Sequence, residues 1–181
     1  HTTFEEAQKI FANHKIEKLP LVDKEDHIVG LITVDDIKNI IEYPLANLDA
    51  EGQLIVGGAV GVHGDFLERA KALIQAGADV IVIDIAHGHS DHMIEAIKKI
   101  REISSEIQII AGNIATAQAA KDLCEAGADA LKVGVGPGTT CITRLVTGCG
   151  VPQLTAVMEC AKIAKKYNVP IIADGGIQKS G

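Results

Sequence analysis

Hydrophobic positions are spaced differently before and after residue 44 or so, and the change divides the chain in two. Over residues 3–14, Phe4, Ala7, Ile10 and Phe11 share one helical face, and Thr3 with Glu6 fits a capping box. Two short apolar runs follow, KLPLVD and IVGLIT, split by the polar turn KEDH, and they predict a pair of strands. A second helix is predicted from Val34 to Ile41, closed before Pro44. This helix–strand–strand–helix unit is complete in itself.

The stretch YPLANLDAEGQ has no sustained period and reads as a linker. Beyond it, continuous apolar runs recur at 57–62, 79–86, 107–112, 129–136 and 169–176. Helical stretches lie between them. Residues 91–103 place Met93, Ile94, Ile97 and Ile100 on one face after Ser90 as N-cap, and 117–126 and 154–167 behave alike. QAGAD (75–79) and EAGAD (125–129) echo each other, with Gly77 and Gly127 placed as helix caps. Strand–helix alternation with buried, non-alternating strands predicts a parallel α/β sheet. An open doubly wound sheet and a (β/α)8 TIM barrel both fit. The barrel reading requires a partial barrel, because a whole one takes about 250 residues.

Composition narrows the functional classes. The chain has 181 residues, 47% hydrophobic and 23% charged, with a formal net charge of −7. The acidic balance and the lack of a basic cluster argue against non-specific nucleic-acid binding. No apolar run approaches a membrane span. Cys124, Cys141, Cys149 and Cys160 show no paired spacing, which suits a reduced, cytoplasmic setting. Aromatic residues make up only 3%, so Ile, Val, Leu and Ala must fill the interior.

In either architecture ligands meet the loops at the C-terminal strand ends. Those loops hold Asp84 with AHGHS, Gly112–Asn113, GVGPGTTCITR (134–144) and Asp174 with two glycines. Each joins glycine, which lets backbone approach a ligand, to a polar or reactive side chain. The 134–144 loop is neither a Walker motif nor a dinucleotide fingerprint, since Thr139 stands where the third glycine belongs. Its plain reading is a tight turn with an incidental thiol. Against that, Cys124 and Cys160 sit on apolar helix faces, whereas Cys141 lies among backbone amides that favour a thiolate or phosphate. Cys149, also in a loop, is the rival nucleophile. HGHSDH (87–92) lacks the spacing of a zinc site; His87 reads as a supporting polar group and His92 as a solvated helix residue.

GVGPGTTCITR, VTGCGVPQLTAV, IIADGGI, IDIAHGHS and AGNIAT together resemble the IMP dehydrogenase/GMP reductase family. Residues 1–44, with IEKLPLVD and VGLITVDDI, resemble the second CBS repeat of an inserted CBS domain. Residues 45–181 resemble the middle of the family's (β/α)8 barrel. The resemblance implies a slice of a longer, tetrameric protein that is inactive on its own. It implies NAD-dependent oxidation of IMP to XMP through a covalent thioimidate, in guanine nucleotide synthesis. By that resemblance Cys141 is the nucleophile and Thr143 positions water or nucleotide. Thr139, Gly175 and Gly176 match the phosphate-binding positions, and Asp174 the acid on the ribose hydroxyls. Asp84, Asn113 and Gly134 match the nicotinamide side. Gly136, Gly138 and Cys141 match carbonyls that hold a monovalent cation, usually potassium. Thr33 and Asp36 match the T-x-x-D by which CBS repeats contact adenine nucleotides, and also read as a plain helix start.

The family divides over two reactions. Ile85 in DIAHGHS and the run PQLTAVMEC lean towards NADPH-dependent GMP reductases. The inserted unit and YPLANLDAEGQLIVGGAVGV lean towards dehydrogenases, which the balance favours. Two rivals differ in kind: a CBS-regulated barrel without thiol chemistry, and an aldolase-like barrel using Lys132, the only lysine within the five predicted strands.

Overall fold

The computed structural model describes residues 3–50 and 52–179. Two compact units divide between Leu54 and Ile55.

The first unit opens with α1 (Phe4–His14), whose capping box closes in both directions. The Thr3 hydroxyl accepts from the Glu6 N–H at 3.2 Å, and the Glu6 carboxylate accepts from the Thr3 N–H at 2.9 Å. Strands β1 (Lys18–Val22) and β2 (Ile28–Thr33) form an antiparallel hairpin. Its turn is fixed by the Asp23 carboxylate, which accepts from the N–H groups of Glu25 and His27. α2 (Val34–Glu42) returns along it, and Ala7, Phe11 and Ile37 form the small buried core.

The second unit is a five-stranded parallel sheet in the order β3 (Gly57–Val60), β4 (Val80–Asp84), β5 (Gln108–Ile114), β6 (Ala130–Val133), β7 (Ile171–Ala173). Spatial order follows chain order, as in successive strands of a (β/α)8 barrel rather than a doubly wound sheet. Helices α3 (Phe66–Gln75), α4 (Asp91–Ile103), α5 (Ala117–Ala126) and α7 (Gln153–Ala164) connect the strands. One face of the sheet is sealed: Ile81, Ile83, Ile109, Leu131 and Val133 are fully buried with Met93, Ile97 and Ile100 of α4 and Leu123 of α5. The strands were expected to be buried on both faces. In this five-stranded part of a barrel β4 and β6 alternate buried with half-buried or exposed positions, the latter on the concave face that a whole barrel fills with side chains.

Two further differences are local. The helix expected over 154–167 gives way after Ala164 to a single 3-10 turn, Lys165–Tyr167, closed by Asn168 at φ 57°. The segment after Cys141 contains a short helix, α6 (Thr143–Thr147), too brief to show a period in the sequence. No helix among the described residues is long and apolar enough to cross a membrane.

The AGAD echo turns out to be one device used twice. The Asp79 N–H donates to the Val56 carbonyl at 2.9 Å while its carboxylate accepts the Val56 N–H at 2.8 Å. Asp129 does the same to Ile109, at 2.9 and 2.7 Å. Each aspartate clasps both backbone groups of one residue at the N-terminal end of the neighbouring strand. Asp129 is held further by Arg101, whose guanidinium also donates to the carbonyls of Gly127, Ser105 and Ile107. Asp129→Ala is expected to cost the full-length protein about 2–3 kcal/mol, and Asp79→Ala about 1 kcal/mol. Urea unfolding midpoints check the ranking, and equal costs would count against the added hold of Arg101 on Asp129.

Candidate functional site

Because the five strands are parallel, their C-terminal ends and the loops after them lie on one side of the sheet. Asp84 ends β4, Asn113 lies near the end of β5, Lys132 is on β6 and Asp174 follows β7. The structure brings all four into one polar network. The Lys132 ammonium lies 3.1 Å from Asp84 Oδ1 and donates to Asp174 Oδ2 at 2.9 Å. The Asn113 amide donates to Asp174 Oδ2 at 2.8 Å and to the Gly134 carbonyl at 2.7 Å. Both bonds to Asp174 fall on Oδ2, which leaves Oδ1 for a ligand.

Charge states follow from these contacts. Asn113 and Lys132 hold the Asp174 carboxyl below the usual carboxylate range, against a smaller opposing effect of burial. Burial pulls the Lys132 ammonium down, but its bonds to Asp174 and Asp84 outweigh it and leave the lysine above its ordinary value. A lysine held charged in this way is a poor imine-forming amine, which removes the support for an aldolase-like reading. The lowered Asp174 group contributes stability above its unfolded pKa, lost as pH falls through the folded value. The raised Lys132 contributes below its unfolded pKa, lost as pH rises through the folded value.

Gln153, at the start of α7, is a member of the site that sequence reasoning missed. It is buried, and its amide donates to the carbonyls of Val133 at 2.7 Å and Asp174 at 3.2 Å. The Oε1 of Gln153 and the Oδ1 of Asn113 are buried with no partner among the described residues. The sequence signal for Gln153 is a polar residue directly after Pro152, at the head of a mostly apolar helix.

The loop after β6 carries Cys141 next to this network. Its sulfur lies 3.2 Å from the Thr143 hydroxyl. Hydrogen bonds from that hydroxyl and from the Thr143 N–H hold the thiol below its ordinary range, with smaller help from Arg144 and the Gly136 backbone. The other cysteines differ. Burial pushes Cys160 up to about 11 and raises Cys124. Cys149 is exposed, and its sulfur faces the Thr147 carbonyl at 3.6 Å.

The Asp174 loop packs against the Cys141 loop through backbone. A Cβ added at Gly175, which sits at φ 75°, would lie 3.1 Å from Gly138 Cα, so only glycine allows this approach. Gly176 adjoins Pro137 in the same way, and Thr139 is exposed on the rim. The Gly138 carbonyl accepts the Cys141 N–H at 3.2 Å, which closes the turn.

Other candidates lie apart from the network. His89 pairs with Asp122 at 2.8 Å, and His92 stacks edge-on against His63. Among the described residues, no group of three or more His, Cys, Asp or Glu side chains is placed to hold a metal ion. In the first unit, Thr33 and Asp36 form the capping box of α2, with bonds of 2.7 and 3.2 Å. Asp36 also lines a cleft of about 1070 Å³ in that unit, walled by Leu31, Ile32, Ile40 and Tyr43.

Known proteins match this chain throughout. The family description "IMP dehydrogenase / GMP reductase domain" matches residues 22–181. A protein of Halalkalibacterium halodurans named inosine-5'-monophosphate dehydrogenase is 58% identical over 180 residues, 99% of this chain and 37% of that protein. The dehydrogenase of Nitrosopumilus maritimus is 56% identical over 179 residues, covering 99% and 38%. The chain therefore spans little more than a third of these relatives' length. Among solved structures, GMP reductase from Trypanosoma brucei in complex with guanosine 5'-triphosphate is similar at 47% identity and a TM-score of 0.85, covering 98% of this chain and 42% of that one. The C318A form of the same reductase with guanosine 5'-monophosphate is similar at 46% identity and 0.84, covering 98% and 38%. Both matches take in the first unit, so its presence is compatible with either reaction. With its parallel strands in barrel order, its cysteine loop and this family match, the chain belongs to the IMP dehydrogenase / GMP reductase family.

Proposed function

We propose that the protein containing this chain is an IMP dehydrogenase, oxidising IMP to XMP with NAD through a thioimidate on Cys141. The observation that carries the reading is the activated thiol: hydrogen bonds at Cys141 stabilise a thiolate, while burial disfavours one at Cys124 and Cys160. The thiolate attacks C2 of the purine, and the C2 hydrogen departs as hydride, which leaves a carbon–sulfur bond. Water then adds at C2, the carbon–sulfur bond breaks, and XMP leaves with the thiol restored. Thr143, bonded to the sulfur, supports the thiolate before attack and again as it departs. Asp174 Oδ1 accepts the ribose hydroxyls, and the turn at Thr139, Gly175 and Gly176 receives the phosphate.

The residues present fit a dinucleotide's nicotinamide end. Among the described residues Asn113 Oδ1 is a buried acceptor without a partner, and Asp84, half exposed, has one oxygen outside its contact with Lys132. Together with Gly134 they would accept carboxamide N–H and ribose hydroxyl groups. NAD bound there supplies the hydride acceptor. Neutral carbonyl oxygens are the donors a potassium ion takes, and Gly136, Gly138 and Cys141 would offer theirs from one turn. The first unit acts as a CBS repeat whose cleft beside Asp36 receives an adenine nucleotide. The whole protein works as a cytoplasmic homotetramer.

Full-length protein should turn over IMP with NAD faster than GMP with NADPH, measured side by side. Faster GMP turnover would reassign the site to the reductase reaction, which the Trypanosoma structures keep in view.

A further inference from the structure

The register of the sheet sets up an arrangement that the proposed reaction does not by itself require. Asp84 of β4 pairs with Gly112 of β5, and Gly112 pairs with Lys132 of β6. These three residues form one row across the concave face, and the middle one has no side chain. A Cβ at Gly112 would lie 2.6 Å from Lys132 Cβ and 2.5 Å from its carbonyl oxygen. The lysine therefore passes over the gap at Gly112 and reaches a strand beyond its neighbour. On the other side the same ammonium holds Asp174, after β7. Its side chain is only 18% exposed, whereas Asp84 and Asp174 are 48% and 46% exposed. The cation lies beneath, and the two acids face outward.

We propose that Lys132 is a positioning residue that ties the nucleotide side of the site to the dinucleotide side, orienting Asp174 and Asp84 from one ammonium. This rests on the dehydrogenase reading, in which Asp174 meets the ribose and Asp84 the nicotinamide end. Both acids reach one nitrogen, so they are close enough to repel one another once it is gone. Removal of the charge therefore frees both to turn away or take up a proton. Among the described residues, the groups facing Asp174 are Lys132 from β6, Asp84 from β4 through that lysine, and the neutral amides of Asn113 at its carboxylate and Gln153 at its backbone carbonyl. Without Lys132 the Asp174 carboxyl titrates at higher pH than in the wild type.

The test uses full-length protein carrying K132M or K132Q, with K132R as the conservative rescue. IMP affinity without dinucleotide should fall about 10- to 100-fold in K132M, and the KM for NAD should rise as well. The acid limb of IMP binding should move to higher pH in both neutral variants, and K132R should return most of each loss. Cys141 labelling by iodoacetamide in the absence of nucleotide should stay near wild type, which shows that the neighbouring loop is intact. IMP affinity, NAD KM and pH limb all unchanged in a labelled, folded K132M or K132Q would overturn the proposal. If the wild type binds GMP and not IMP, the dehydrogenase reading fails, and the same comparison with GMP decides the role of Lys132. A wild type that binds neither overturns both.

Discussion

Under the proposed covalent reaction, Cys141→Ser in the full-length enzyme should lower kcat on the order of 10³-fold or more, because an alcohol replaces the thiol proposed to carry the purine. The same substitution should abolish adduct formation with a 6-chloropurine nucleotide, read by mass spectrometry of the intact protein and its peptides. Two further observations separate Cys141 from the remaining thiols. At neutral pH its lowered pKa leaves more thiolate than an ordinary cysteine carries, so limiting iodoacetamide should label it ahead of Cys124 and Cys160. Cys160, buried and raised to about 11, should react only after unfolding. Cys149→Ser should keep most activity, since its sulfur has an acceptor beside it and lies outside the Cys141–Thr143 pair. An adduct on Cys149 would move the covalent role to that thiol, and turnover surviving in Cys141→Ser would end the assignment to Cys141.

The largest stability loss is expected from Ile97→Ala, about 2–5 kcal/mol. Ile97 lies at the centre of the buried face of α4, fully buried, where that helix packs on β4 and β5 and beside α3 and α5. Truncation to alanine loses the transfer energy of the removed atoms. It also leaves a void that four surrounding elements are too well packed to fill. Ile97→Val deletes far less and should cost about 0.5–1.5 kcal/mol. Urea titration of the full-length protein, following the transition that contains the barrel, compares the two. An alanine variant no less stable than the valine variant would show that α4 rests loosely on the sheet.

The sequence made the barrel legible and the site only partly so, for physical reasons. Runs such as VIVID and the face made by Met93, Ile97 and Ile100 reflect burial against a helix, which one local stretch is enough to reveal. Cys141 stood out because its neighbours are glycine and threonine instead of apolar helix residues. Lys132 stood out only as the one lysine within the predicted strands, and its bridging contacts stayed hidden because they are distant: Asp174 is 42 residues away, and Gly112 contributes only by lacking a side chain. Gln153 was invisible for a similar reason. A buried amide bonded to two strand-end carbonyls has no local pattern.

The paired clasps at Asp79 and Asp129 bear on how such a sheet can change. They hold neighbouring strands in alignment at the end opposite the candidate site, with residues outside its polar network. Loop sequence can therefore drift towards a new base or cofactor without letting the strands slide. These two strand pairs each bring their own fastening, so a block from β3 to β4 or from β5 to β6 is a cassette that can be copied or exchanged with its alignment intact.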